Sequence, residues 1–94
     1  MHPLIEANRS QLRALGERYG MRSMRVFGSM ARNDSHPGSD VDLLVESGEP
    51  VSGFLLGELL MDAQDLLGRK VDVVTLNALH PMMREQVLRE SEAI

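Results

Sequence analysis

Phe27-Gly28-Ser29, ten further residues, then Asp40-Val41-Asp42-Leu43-Leu44-Val45 is the stretch on which the reading of this chain turns. Met24-Arg25-Val26-Phe27 is short, alternating and partly β-branched, which predicts a strand stopping at Gly28. Ser29 to Asn33 predicts one or two helical turns with Ser29 as the cap. Asp34 to Ser39 is a run of turn formers and predicts a loop. Asp40 to Glu46 then predicts a second strand around Leu43-Leu44-Val45. Residues i and i+2 of a strand project to one face, so Asp40 and Asp42 stand side by side. Two such anions beside a buried apolar run repel each other and resist desolvation. A divalent cation relieves both costs. Carboxylate oxygens, with water and phosphate oxygens filling the remaining positions, describe a magnesium site.

The flanking sequence extends this frame. Downstream, Ser47 to Gly53 predicts a loop and Phe54 to Leu67 a long helix. In that helix Leu55, Leu59 and Leu66 share one side, and Leu56, Leu60, Ala63 and Leu67 the adjacent one. Gly68 stops it. Lys70 to Leu76 predicts a third strand, read as an interior one, with Asp72 set between two valines. If this strand pairs with the second, Asp72 joins Asp40 and Asp42. Three carboxylates can bridge two metals and clamp the attacking and leaving oxygens of a phosphoryl transfer. Pro81 opens a last helix running to about Glu92. Upstream, Leu4, Leu12, Leu15 and Tyr19 mark one stripe of a first helix over residues 4–19, ended by Gly20. The order of elements predicts a small α/β (α+β) fold, a mixed sheet of about three strands with helices packed against it.

The other half of the chemistry lies at Gly28-Ser29. A strand end followed by a helix start offers free N–H groups and the Ser29 hydroxyl to a phosphate, and Gly28 permits close backbone approach. Arg32, one turn on, adds a charge-assisted contact to a phosphate tail. Ser39 stands within reach of the same anion and is equally explained as a turn residue. Either motif alone is weak, since Gly-Ser is common and Asp-x-Asp is often a solvated edge; their combination is specific. His2, His36 and His80 have no metal-ligand spacing, and each is explained by a terminus, a loop or a helix start.

Composition sets the outer bounds. The 94 residues are 43% hydrophobic and 26% charged, which predicts one folded domain over 1–94. No apolar run is long enough for a membrane span. The first residues lack the pattern of a signal peptide, and the expected location is the cytoplasm. Absence of cysteine excludes disulfides, zinc–thiolate sites and iron–sulfur clusters. The net charge of −4 is uneven: residues 1–25 carry five Arg against two acids, and residues 26–94 carry five bases against twelve acids. The five early arginines read as a solvated face or as one half of a match to an acidic partner. An acidic body with three aromatic residues is a poor surface for nucleic acid, and no direct nucleic-acid binding is expected. The second long helix, with Met82 and Met83, offers apolar area to a partner.

Gly28-Ser29, ten residues, Asp40-Val41-Asp42, and then Asp72 resembles the signature of the DNA polymerase β-like nucleotidyltransferase superfamily. The small size resembles its minimal branch, the MNT-domain proteins, commonly the antitoxins of HEPN/MNT toxin–antitoxin pairs. The resemblance covers nearly the whole chain. It implies the polymerase β-like nucleotidyltransferase fold, magnesium held by Asp40, Asp42 and Asp72, and ATP bound through Gly28 and Ser29. Asp72 would also help activate the incoming hydroxyl. The implied reaction is attack of a hydroxyl on the α-phosphate with loss of pyrophosphate. In the antitoxin branch that hydroxyl is a tyrosine of a HEPN toxin, a ribonuclease silenced by AMP transfer. Asn33 departs from the pattern, because many relatives follow the arginine with glycine. The other reading of a chain this small is a module that neutralises its partner by steric contact, without catalysis.

Overall fold

The structure is a computed structural model and describes residues 1–32 and 38–94. The expectations for Asn33, His36 and most of the loop before Ser39 lie outside the described residues. The chain starts with two short helices, α1 (Pro3–Ala7) and α2 (Arg9–Arg18). The single helix expected over residues 4–19 is therefore broken. The Asn8 side-chain amide donates to the Leu4 carbonyl at 2.8 Å. Asn8 itself leaves helical geometry, and its own carbonyl accepts the first bond of α2 from Leu12. A side chain that competes for backbone partners in this way ends one helix and starts the next.

Strand β1 (Met21–Phe27) leads through Gly28 into the four-residue α3 (Ser29–Arg32). Strand β2 (Val41–Ser47) follows, then α4 (Gly53–Leu67), β3 (Val71–Thr75), a 3₁₀ turn (Leu76–Ala78), α5 (Pro81–Glu90) and the two-residue β4 (Glu92–Ala93). Ser52 caps α4 by accepting the Leu55 N–H, and Gly68 closes it in the left-handed conformation. The sheet order is β3-β2-β1-β4. Strands β1 and β2 are antiparallel; β2 and β3 are parallel, joined by α4 as crossover.

Four strands replace the expected three. The extra one comes from residues assigned to the end of the last helix: α5 stops at Glu90, and Glu92–Ala93 turns back along β1. The early arginines account for this. Arg9 donates to the Ala93 carbonyl at 3.0 Å, Arg13 to the Ile94 carbonyl at 2.9 Å, and Arg25 to the Ser91 hydroxyl at 2.6 Å. Much of the basic excess in residues 1–25 thus anchors the end of the described chain instead of awaiting an acidic partner. A second correction concerns β3, which forms an edge of the sheet and not its interior. A third concerns β2, which begins at Val41, one residue after Asp40.

One hydrophobic core runs from Ile5 to Ile94. Val41, Leu43 and Val45 face it from β2, and Leu59, Ala63 and Leu67 cover them from α4. Because side chains alternate along a strand, Asp42 projects from the opposite face. Packing of α4 on one face of the sheet therefore leaves Asp42 on the other.

Candidate active site

The end of β1 and the start of β2 meet in register, with Phe27 opposite Asp42. On the other flank of Asp42 the parallel register sets Asp72. Adjacent strands lie about 4.8 Å apart, so the two carboxylates share one face as neighbours. Gly28 closes the third side. Its φ is +70°, and a Cβ there would come within 2.5 Å of Asp42 Oδ2. Any larger residue would be strained in the backbone and would displace the carboxylate. The Gly28 carbonyl accepts from the N–H groups of Ala31 and Arg32. Gly28, and not Ser29, thus stands before the first turn of α3. Ser29 is its first residue, and the Ser29 and Met30 N–H groups have no helical carbonyl to serve.

Gly28, Ser29, Arg32, Ser39, Asp40 and Asp42 line one open cleft of about 610 Å³, together with Gly38. Six of the seven expected site residues are brought together in this way. Asp72 stands beside Asp42 in the sheet but is exposed and does not line the cleft. Burial pushes the Asp42 carboxyl above its ordinary value; Asp72 and then Asp40 push the same way, and the Arg32 guanidinium opposes them. A carboxylate so placed gains from any cation that replaces its proton.

Among the described residues no three His, Cys, Asp or Glu side chains are gathered as a metal-holding group. The two-metal cage expected from three acids is thus not preassembled by side chains alone. Asp40 precedes its strand and is exposed, and Asp72 is exposed on an edge. The donors are all oxygens of one charge sign around a half-buried carboxylate. This set fits a hard divalent cation whose remaining ligands come from water or phosphate.

Gly38 and Arg69 were not anticipated in the site. The Arg69 guanidinium donates to the Ser39 carbonyl at 3.4 Å, and the Val41 N–H donates to the Lys70 carbonyl at 3.0 Å. Asp40 sits between these two anchors. The sequence signal was the position of Arg69-Lys70, directly between the helix stop at Gly68 and the strand carrying Asp72.

The nucleotidyltransferase domain model matches residues 9–94. The chain belongs to this nucleotidyltransferase family. The domain is similar to the protein adenylyltransferase MntA of Thermococcus cleftensis, with 38% identity over 93% of this chain and 85% of the relative. A solved structure described as a minimal nucleotidyltransferase superposes with a TM-score of 0.88 at 38% identity, covering 100% of this chain and 97% of the other. The fold recurs at lower identity in two toxin–antitoxin structures. One, with AMP-PNP, gives TM-score 0.82 at 22% identity over 92% of this chain and 71% of the other. The second is a tri-AMPylated Shewanella oneidensis HEPN toxin with its MNT antitoxin, at TM-score 0.74 and 19% identity over 94% and 69%. The nucleotidyltransferase is therefore an enzyme by family, with a mixed α/β sheet of the expected kind. None of its helices is long and apolar enough to cross a membrane, among the described residues.

Proposed function

We propose that this nucleotidyltransferase transfers AMP from ATP to a hydroxyl, a tyrosine by family analogy, of a cognate HEPN ribonuclease toxin, and so acts as its antitoxin in the cytoplasm. The observation that carries the reading is Asp42 held in register beside Asp72 and against Gly28, at the mouth of a cleft that also holds Ser29, Arg32 and Asp40. The kinship with a protein adenylyltransferase supports the choice of acceptor.

Each residue then has a role. Gly28 lets the backbone approach the triphosphate, and the Ser29 hydroxyl and neighbouring N–H groups donate to phosphate oxygens. Arg32 and Ser39 bind the phosphate tail from the cleft walls. Asp40 and Asp42, with Asp72, would hold magnesium, which when bound would neutralise phosphate charge and favour the deprotonated form of the acceptor hydroxyl. Asp72, exposed on the outer strand, accepts the proton of the acceptor hydroxyl. The acceptor oxygen bonds to the α-phosphorus, the bond from that phosphorus to the bridging oxygen breaks, and pyrophosphate leaves. Arg69 is a positioning residue, fixing the Ser39 carbonyl and through it Asp40.

The test is rescue of growth in cells expressing the toxin. The wild-type chain restores growth, and the Asp40→Ala, Asp42→Ala chain fails to do so at equal expression. A second reading, silencing by contact alone, is favoured by the exposed Phe54, Met61, Met82 and Met83. Full rescue by the double variant would select it.

A further inference from the structure

Helix α4 buries Leu59, Ala63 and Leu67 against the sheet. At 100° per residue, Phe54, Glu58, Met61 and Asp65 fall near the opposite pole of the helix. Phe54 is 80% exposed and Met61 58%. Gly57 lies between them, and a Cβ there would meet nothing within 4 Å, so the helix backbone is bare at that point. The result is a notch of about 480 Å³ walled by Phe54 and Met61 and closed at one end by Arg18 and Tyr19 of the α2 terminus. That end wall is fixed: the Tyr19 hydroxyl donates to Asp62, and Arg18 lies 5.7 Å from the Tyr19 ring centroid and 4.0 Å from Asp62.

Apart from Arg18 in the end wall, the rim is acidic. The whole of α4, Gly53–Leu67, contains three acids and no Lys or Arg. Asp62 is engaged by Tyr19 and Arg18, but Glu58 and Asp65 have no ion-pair partner among the described residues. We infer that this notch docks a helix of the acceptor polypeptide that seats an apolar side chain over Gly57 and sets Lys or Arg against Glu58 and Asp65. The inference rests on the proposed function for the partner's identity. A second copy of this chain is a poor occupant. A twofold contact of α4 on α4 would set one acidic helix face against another. On a neighbouring α2, Arg9 and Arg13 are already bound to the Ala93 and Ile94 carbonyls.

The placement has a consequence for the reaction. Asp42 projects from the face of the sheet that α4 does not cover, so a helix held on α4 leaves the cleft open to nucleotide. Docking and nucleotide binding then use different faces of the sheet.

The experiment measures affinity for the purified product of the neighbouring gene, tested as the toxin, at low and high salt, with ATP binding measured in parallel. Phe54→Ser with Met61→Ser is expected to weaken toxin binding by about tenfold or more, as loss of central apolar anchors does. Glu58→Lys with Asp65→Lys is expected to weaken it and to remove most of its salt dependence. Met82→Ser with Met83→Ser, on α5, leaves it unchanged, and all three variants bind ATP as the wild type does. Toxin affinity unchanged by the α4 variants, with AMP transfer intact, overturns the docking site and leaves the proposed function standing. A homodimer in sedimentation that Phe54→Ser dissociates also overturns it, in favour of a second copy. No toxin binding and no transfer by the wild-type chain overturns the proposed function and the docking site together.

Discussion

Replacement of Gly28 by alanine probes the join between fold and site. Gly28 has φ +70°, where an L-residue costs about 1–2 kcal/mol. The added methyl would also stand 2.5 Å from Asp42 Oδ2, so the carboxylate must move by most of an ångström or leave its rotamer. An off-rotamer side chain costs roughly 0.5–1.5 kcal/mol. The expected loss is therefore about 2–3 kcal/mol. For a domain of this size each kcal/mol lowers Tm by about 4–8 °C, so thermal unfolding falls by roughly 10–20 °C. The two contributions separate in a double-mutant cycle. In an Asp42→Ala background only the backbone cost remains, and Gly28→Ala then costs about 1 kcal/mol less than in the wild type. Urea unfolding of the four proteins, with equal slopes, gives the coupling. Equal costs in the two backgrounds would mean that the Asp42 carboxylate does not fill the space beside Gly28, and the geometry of the cleft would be wrong.

Other perturbations have equally defined outcomes. Asp42 has its pKa raised by burial, then by Asp72 and Asp40. The folded chain therefore binds this proton more tightly than the unfolded chain, and stability falls as pH rises from about 3.8 through the folded value. Asp42→Asn should stabilise the metal-free protein at pH 7, by less than about 1 kcal/mol because the site is partly solvated, and the gain should vanish near pH 3. A gain that grows on acidification would refute that sign. Arg69→Met removes the anchor on the Ser39 carbonyl while keeping the stem; it should raise KM for ATP several-fold at nearly unchanged Tm, and a large fall in Tm would assign Arg69 to stability instead. Leu59→Ala, at a fully buried position between α4 and the sheet, should cost about 2–5 kcal/mol in chemical denaturation.

Asp42 and the glycine were legible in the sequence because their signals are local. A period of two fixes the face of Asp42, and a glycine at a strand end marks close approach. The apolar spacing of Phe54 to Leu67 likewise gave α4 nearly to the residue, and Leu59, Ala63 and Leu67 do form its buried stripe. What the sequence hid depends on partners far along the chain. The break at Asn8 is one side-chain bond to Leu4, invisible to a count of apolar positions. The fourth strand exists because Arg9, Arg13 and Arg25 hold residues 91–94, some 66 to 84 positions away. The edge status of β3 misled the reading of Asp72, because Val-Asp-Val-Val suggests burial on both faces; one flank of the strand is open instead. Asp40 was read as part of β2, yet it precedes that strand, held between Arg69 and Lys70.

The central claim is transfer of AMP by the carboxylates around Asp42, and intact mass spectrometry tests it most directly. The chain is mixed with the product of the neighbouring gene, tested as the toxin, and with magnesium and ATP, with an Asp40→Ala, Asp42→Ala variant run alongside. The account predicts a mass gain of one or more AMP units on the toxin, present with the wild-type chain and absent with the variant. An unmodified toxin in a stable complex, or the same gain with both chains, would contradict it.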